Sequence, residues 1–377
     1  NLVSNMIDTK TSGFTCNGFQ NIKPNMSYLY MSNHRDITVD PALLNYMLHQ
    51  NNFKTTNIAV GNNLMSEAWA SDLMRLNKSF IIDRTGKSKR EIYQGLNLAS
   101  EYIGDSILEK NEPIWIAQKQ GRAKDGLDKT DPALLKMIHL INRKSIPISD
   151  YFNSLCFIPV AVSYEFDPND LFKANELHAI ATHQEYIKTD KEDLNSIANG
   201  ISGQKGLVNL NIGPPINFID NSYEACANLI SRSILDLYQL QPSNFAACQL
   251  QNIKYTLDCN FSNDQINFAK DYLEKANVPS DLLTKEALRT QIMDLIDVAL
   301  KADTWKTRIR EIMQNNAELK KWIVYEAASG LGKFTGKASK GGNYFGDNTA
   351  VANKILVFDS KGVKKVHDLF KWSQSNG

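Results

Sequence analysis

Short apolar runs recur along the first two-thirds of the chain, and each is closed by polar or glycine-containing residues. Residues 28–32, 56–61, 79–83, 113–117, 155–164 and 207–212 read as strands, the last ended by Gly213-Pro214-Pro215. Helical periodicity falls between them. Asp40-Pro41 predicts a helix with Asp40 as N-cap, Pro41 as first helical residue, and Leu43, Leu44, Met47 and Leu48 on one face. Ser88 and Glu91 form a capping-box pattern before an apolar stripe of Ile92, Leu96, Ile103 and Ile107. Asp131-Pro132 opens a further helix by the same device as Asp40-Pro41. Strands alternating with helices predict an α/β layered domain.

The pattern changes near residues 255–262. Residues 262–320 are helical in periodicity, and 326–348 are rich in Gly, Ser, Lys and Asn. Residues 350–369 read as a strand, a Ser-Lys-Gly turn and a second strand. The expected organisation is an α/β domain over 1–258, then a mainly helical region with a small β element over 259–377. A length of 377 residues is comfortable for two domains.

Composition narrows the function classes. The chain is 42% hydrophobic and 22% charged, as expected of a soluble globular protein, and its net charge of +1 gives no reason to expect a nucleic-acid partner. Residues 259–377 carry a net +4 and the remainder −3, which reads as a solvated face. The five cysteines are odd in number and widely spaced, without Cys-x-x-Cys or zinc-like spacing. They read as reduced thiols of a cytosolic-type compartment. No apolar run approaches the roughly 20 residues of a membrane span. The first residue is Asn1, not methionine, so a preceding piece is expected.

The candidate chemistry centres on His34. It follows an apolar strand and precedes two aspartates, Asp36 and Asp40. A histidine with a carboxylate close by can act as a general base toward a hydroxyl, because the carboxylate fixes the tautomer and supports the charged ring. His34-Arg35-Asp36 does not fit a protein-kinase loop, since Pro41 stands where the Asn is needed. Ser329-Gly330-Leu331-Gly332-Lys333 lacks the first glycine of a Walker loop, where Ala327 stands, and there is no Gly-x-Ser-x-Gly elbow. His49, His139, His178, His183 and His367 have no partner pattern and read as fillers of core or surface.

Four blocks in order resemble the glycerolipid acyltransferases, the glycerol-3-phosphate and 1-acylglycerol-3-phosphate acyltransferase superfamily. They are Ser32-Asn33-His34-Arg35 through Asp40-Pro41-Ala42-Leu43-Leu44, Phe80 to Arg84, Gln120-Gly121-Arg122, and Phe157 to Glu165. Together they span about residues 30–216; residues 259–377 resemble no part of the family.

The resemblance implies a mixed sheet flanked by helices and an O-acyl transfer. A fatty acyl group would pass from acyl-CoA or acyl carrier protein to a glycerol-phosphate or lysophospholipid hydroxyl. His34 would be the base and Asp40 its partner, with Asp36 as the alternative. Arg84, Gln120, Gly121, Arg122 and Lys124 would bind the acceptor's phosphate, and the strand around Pro159 would shape the acyl-donor side. No metal or bound cofactor is implied; the acyl donor is a co-substrate. The lipid partner implies a cytoplasmic protein touching a membrane surface without spanning it. Two departures stand out. Five residues separate His34 from Asp40 where the family has four, and Gln120 replaces the family's glutamate. These departures motivate the alternative expectation, a catalytically impaired protein of the same shape serving as a structural or interaction module.

Overall fold

The computed structural model describes residues 2–61, 77–84, 86, 88–124, 128–181, 186, 192–254, 259–275, 358–359 and 362–363. Contacts divide the chain into two compact units. The first holds residues 1–124, 128–169 and 185–239; the second holds 125–127, 170–184 and 240–377. The last residue of the first unit is Gln239.

The first unit is built on a seven-stranded sheet. In chain order its strands are β1 (Gly13–Asn17), β2 (Leu29–Ser32), β3 (Asn57–Gly61), β4 (Ser79–Ile82), β5 (Ile114–Ala117), β6 (Phe157–Tyr164) and β7 (Leu207–Ile212). Their spatial order is β1-β7-β6-β2-β5-β3-β4. Five strands run parallel, while β7 pairs antiparallel with β6 and carries β1 parallel to itself, so the sheet is mixed. The six runs expected to be strands are β2 to β7. The edge strand β1 was not anticipated; Gly-Phe-Thr-Cys-Asn is too short and too polar to announce itself.

Helices cover both faces. Helices α1 (Leu2–Lys10) and α2 (Val39–Gln50) precede α3 (Lys89–Gly104), α4 (Pro132–Ile138) and α5 (Ile148–Ser154). Later in the unit come α7 (Glu192–Ser202) and α8 (Tyr223–Leu237), while α6 (Asp170–Ala181) belongs to the second unit. Strand β6 is buried at all eight positions, as a central strand covered on both sides must be. Its even residues Ile158, Val160, Val162 and Tyr164 join Leu43, Leu44 and Leu48 of α2 in one core. Phe157 meets Phe152 and Phe218 in a separate aromatic cluster. This two-residue alternation decides which β6 side chains share the α2 core.

Helix starts follow local chemistry. Ser88 accepts from the Glu91 amide and Asp131 from the Ala133 amide, both as expected. Asp40 does not cap α2, contrary to expectation. The helix begins at Val39, and the Ala42 amide donates to the Thr38 carbonyl. Asp40 thus lies inside the first turn, and Pro41 occupies a position whose missing N–H would have had no helical acceptor. Asp36 supplies the caps instead, accepting from the Thr38 and Val39 amides at 3.0 and 2.9 Å.

In the second unit α9 (Pro242–Leu250) and α10 (Asn263–Lys275) pack together, and Phe245 contacts Phe261. Ser262 and Gln265 close a reciprocal cap at the start of α10. A two-residue antiparallel pair joins β8 (Phe358–Asp359) to β9 (Gly362–Val363). The rest of the expected helical stretch beyond Lys275, the Gly-rich stretch 326–348, His183 and His367 lie outside the described residues.

Candidate active site

His34 sits just past the end of β2, on the first turn between sheet and helix. Its ring Nδ1 lies 3.0 Å from Asp40 Oδ2. That oxygen also accepts from the backbone amides of Arg35 at 2.7 Å and Asp36 at 2.9 Å. The chain therefore wraps around the carboxylate, and the extra residue between His34 and Asp40 is absorbed in this wrap. The other oxygen, Oδ1, accepts from the Tyr164 hydroxyl at 2.7 Å. Asp40 is fully buried, with four donors on its two oxygens, close to the full accepting capacity of a carboxylate.

Both aspartates offered by the sequence are present in the turn, and only one reaches the histidine. Asp36 faces the α2 amides and the underside of α7. Burial pushes its carboxyl above the ordinary carboxylate range, and the Asp40 charge adds to the rise. The Tyr164 hydroxyl is held well above the usual phenol range, by burial first and then by Asp40, so it stays protonated and donates.

The backbone of the turn is clamped from the side. Strand β6 runs beyond the end of β2, because Ser32 pairs with Val160 and the ladder stops there. Asn33 then continues it with its side chain, donating to the Val162 carbonyl at 2.9 Å and accepting from the Val162 amide at 2.8 Å. Trp115 on β5 donates its indole N–H to Ser32 Oγ at 3.0 Å, and its ring meets His34 edge-on at 5.7 Å between centroids. The Ala123 amide donates to the His34 carbonyl at 2.7 Å, tying the loop after β5 to the histidine.

A cleft opens at the carboxyl ends of the parallel strands, where open α/β sheets commonly bind ligands. His34, Arg84, Gln120, Gly121, Arg122 and Lys124 all line it, together with Lys119 and Asp193. Apolar residues of β3 and β5, among them Ile58, Val60, Trp115 and Ile116, also line it. Arg84 donates to Gln120 Oε1 at 2.7 Å, so Gln120 holds the guanidinium without cancelling its charge. Arg122 donates to Ser196 on α7, while its buried Nη1 has no acceptor among the described residues. Gly121 has a φ of +74°, and a Cβ there would meet nothing within 4 Å. The glycine serves the left-handed backbone.

Pro159 lies on the strand expected to shape the acyl-donor side. Pro159 is buried inside β6 and does not line this cleft; its ring lies beside Gly213. The proline is tolerated there because the ladder to β7 starts one residue later, at Val160. Tyr164, Asn33, Trp115 and Ser196 were given no role by the sequence. All but Ser196 lie within or beside apolar runs, where their polar groups look incidental.

The protein-family model described as Acyltransferase matches residues 13–126. This part of the chain belongs to the acyltransferase family. The match contains β1 to β5 and every cleft-lining residue named above except Asp193; the block Phe157–Glu165 lies beyond it. A solved structure similar to part of the chain is that of the 1-acyl-sn-glycerophosphate (LPA) acyltransferase PlsC from Thermotoga maritima. It is 14% identical, the match covers 60% of this chain and 72% of that one, and the TM-score is 0.34. No curated protein sequence matches the chain. In the acyltransferase domain no described helix is long and apolar enough to cross a membrane.

Proposed function

We propose that the acyltransferase domain moves a fatty acyl group from acyl-CoA or acyl carrier protein to the hydroxyl of a glycerol-phosphate or lysophospholipid acceptor. The observation that carries this reading is His34, bound through Nδ1 to a buried carboxylate and facing a cleft lined by guanidinium groups. The carboxylate keeps the ring proton on Nδ1, which leaves the Nε2 lone pair for the substrate.

The step balances without a further reactant. Nε2 takes the acceptor's hydroxyl proton as its oxygen attacks the thioester carbonyl. The new C–O bond forms, the C–S bond breaks, and the imidazolium returns the proton to the departing thiolate. Asp40 stabilises the charged ring during transfer, and such base catalysis is worth about 10²–10⁴-fold. Arg84 and Arg122 hold the phosphate, with Gln120, Gly121 and Lys124 shaping the loop around it. The guanidinium fork of each arginine matches the paired oxygens of a phosphate. The apolar β3 and β5 wall suits the start of an acyl chain. A lipid acceptor brings the protein to a membrane surface without spanning it.

The test is transfer from labelled palmitoyl-CoA to glycerol-3-phosphate and to lysophosphatidate, with His34→Ala as control. Transfer by the wild type and its loss in a folded His34→Ala protein is the expected result. Wild-type protein inert toward a broad acceptor panel would instead favour a structural module; retained turnover in His34→Ala would reject the histidine mechanism.

A further inference from the structure

Tyr164 closes the polar chain behind His34, and we infer that it is a positioning residue: its hydroxyl fixes the Asp40 carboxylate so that Asp40 holds the His34 ring aimed into the cleft. This rests on the reading of His34 as base. Three bonds converge on Asp40 Oδ2, all from the turn that contains Asp40 itself. Those three bonds hold the carboxylate from within its own segment of chain. Among the described residues, the donor to Oδ1 comes from elsewhere in the fold, from Tyr164 at the end of β6. That bond ties the turn to the sheet.

The fold makes the bond deliberate in three ways. Tyr164 stands on the α2-facing side of β6, in step with Val160 and Val162. Asn33 locks the register two residues earlier, through both backbone groups of Val162. The antiparallel pairing of Tyr164 with Val208 fixes the strand end from the other side. The groups facing the carboxylate are therefore His34, Asp36 and Tyr164, with Asp167 and Lys205 acting on Tyr164 and Asp36 from further along the same region. Removing one hydroxyl leaves Oδ1 buried without that donor and cuts the carboxylate's tie to the sheet.

Tyr164→Phe preserves the ring and tests the hydroxyl alone. With palmitoyl-CoA and lysophosphatidate as substrates, kcat should fall by roughly 10- to 100-fold, the equivalent of one charge-assisted hydrogen bond. Both KM values should stay within about twofold, because the hydroxyl touches neither substrate. Nitrogen-15 spectra of the His34 ring should show a single Nδ1–H tautomer in the wild type and a mixture in Tyr164→Phe. An unchanged kcat in the folded variant, a loss confined to KM, or unaltered ring signals would overturn the inference.

Replacement of Tyr164 by 3-fluorotyrosine keeps the fold-supporting hydroxyl and makes it a stronger donor. The His34 nitrogen signals should shift in that protein, and their constancy would count equally against the role, whether or not Tyr164→Phe folds. The His34→Ala control separates the two claims. If His34→Ala is inert while Tyr164→Phe turns over normally, the positioning role fails and the base stands.

Discussion

Asp36 and Asp40 share one turn, yet their carboxylates do different work: Asp40 Oδ2 lies 3.0 Å from the His34 ring, and Asp36 Oδ1 lies 2.9 Å from the Val39 amide. One carboxylate serves the proposed chemistry and the other starts a helix. Asp40→Asn should lower kcat by about 10²–10⁴-fold, since the amide cannot accept from donors on both its termini and carries no charge. Asp36→Asn keeps an oxygen for the helix amides and should leave turnover within about tenfold of wild type. Steady-state kinetics on the two variants distinguishes them, and equal losses would contradict the division.

Arg122 should act on acceptor binding rather than on the rate of transfer. Arg122→Ala removes a charge-assisted bond to the acceptor phosphate and should raise the acceptor KM by roughly 10- to 100-fold. Arg122→Lys restores charge without the planar fork and should recover only part of it. Initial-rate measurements against lysophosphatidate at fixed acyl-CoA check this; a change in the donor KM alone would misplace the residue.

Gly200 on α7 passes directly over Asp36. A Cβ at this position would fall 2.2 Å from Asp36 Oδ2, and that carboxylate is pinned by two amides. Gly200→Ala should therefore destabilise the first unit by about 1–3 kcal/mol, despite alanine's better helix propensity. Thermal and urea denaturation read this out, and a stabilised Gly200→Ala protein would show that α7 can shift aside.

His139 gives a pH dependence remote from the cleft. Its Nε2 lies 2.9 Å from the Ile146 carbonyl and its Nδ1 2.9 Å from the Tyr223 hydroxyl, so both ring nitrogens are used. Burial lowers its pKa below the ordinary 6.5. As pH falls below about 6.5 the unfolded chain takes up the proton first, and stability drains away until the folded ring titrates too. The Tm advantage of wild type over His139→Gln should be constant above pH 7 and shrink toward pH 5.5. An advantage that grows on acidification would mean the ring gains, rather than loses, a partner when charged.

Much of the first unit was legible in the sequence because its signals are local. The six apolar runs became β2 to β7, and Ser88 and Asp131 cap where their spacing to the next amides says they should. His34, Arg84, Gln120, Gly121, Arg122 and Lys124, scattered across almost a hundred residues, do line one cleft. Asp40-Pro41 misled because the same dipeptide suits two places in a first turn, and only the geometry of the preceding loop chooses between them.

The sequence by itself determined the alternation of strands and helices, the histidine at a strand end and the supply of basic residues, since each depends on neighbours along the chain. The tertiary structure alone decided which aspartate meets His34, that the Asn33 side chain prolongs the β2–β6 ladder, and that a tyrosine from β6 completes the carboxylate's bonds. Those choices depend on strand order and register, which bring residues 33, 40, 162 and 164 together across more than a hundred positions of intervening chain. No periodicity carries that information, because a buried hydroxyl in an apolar strand looks like any other core residue until the fold shows what it faces.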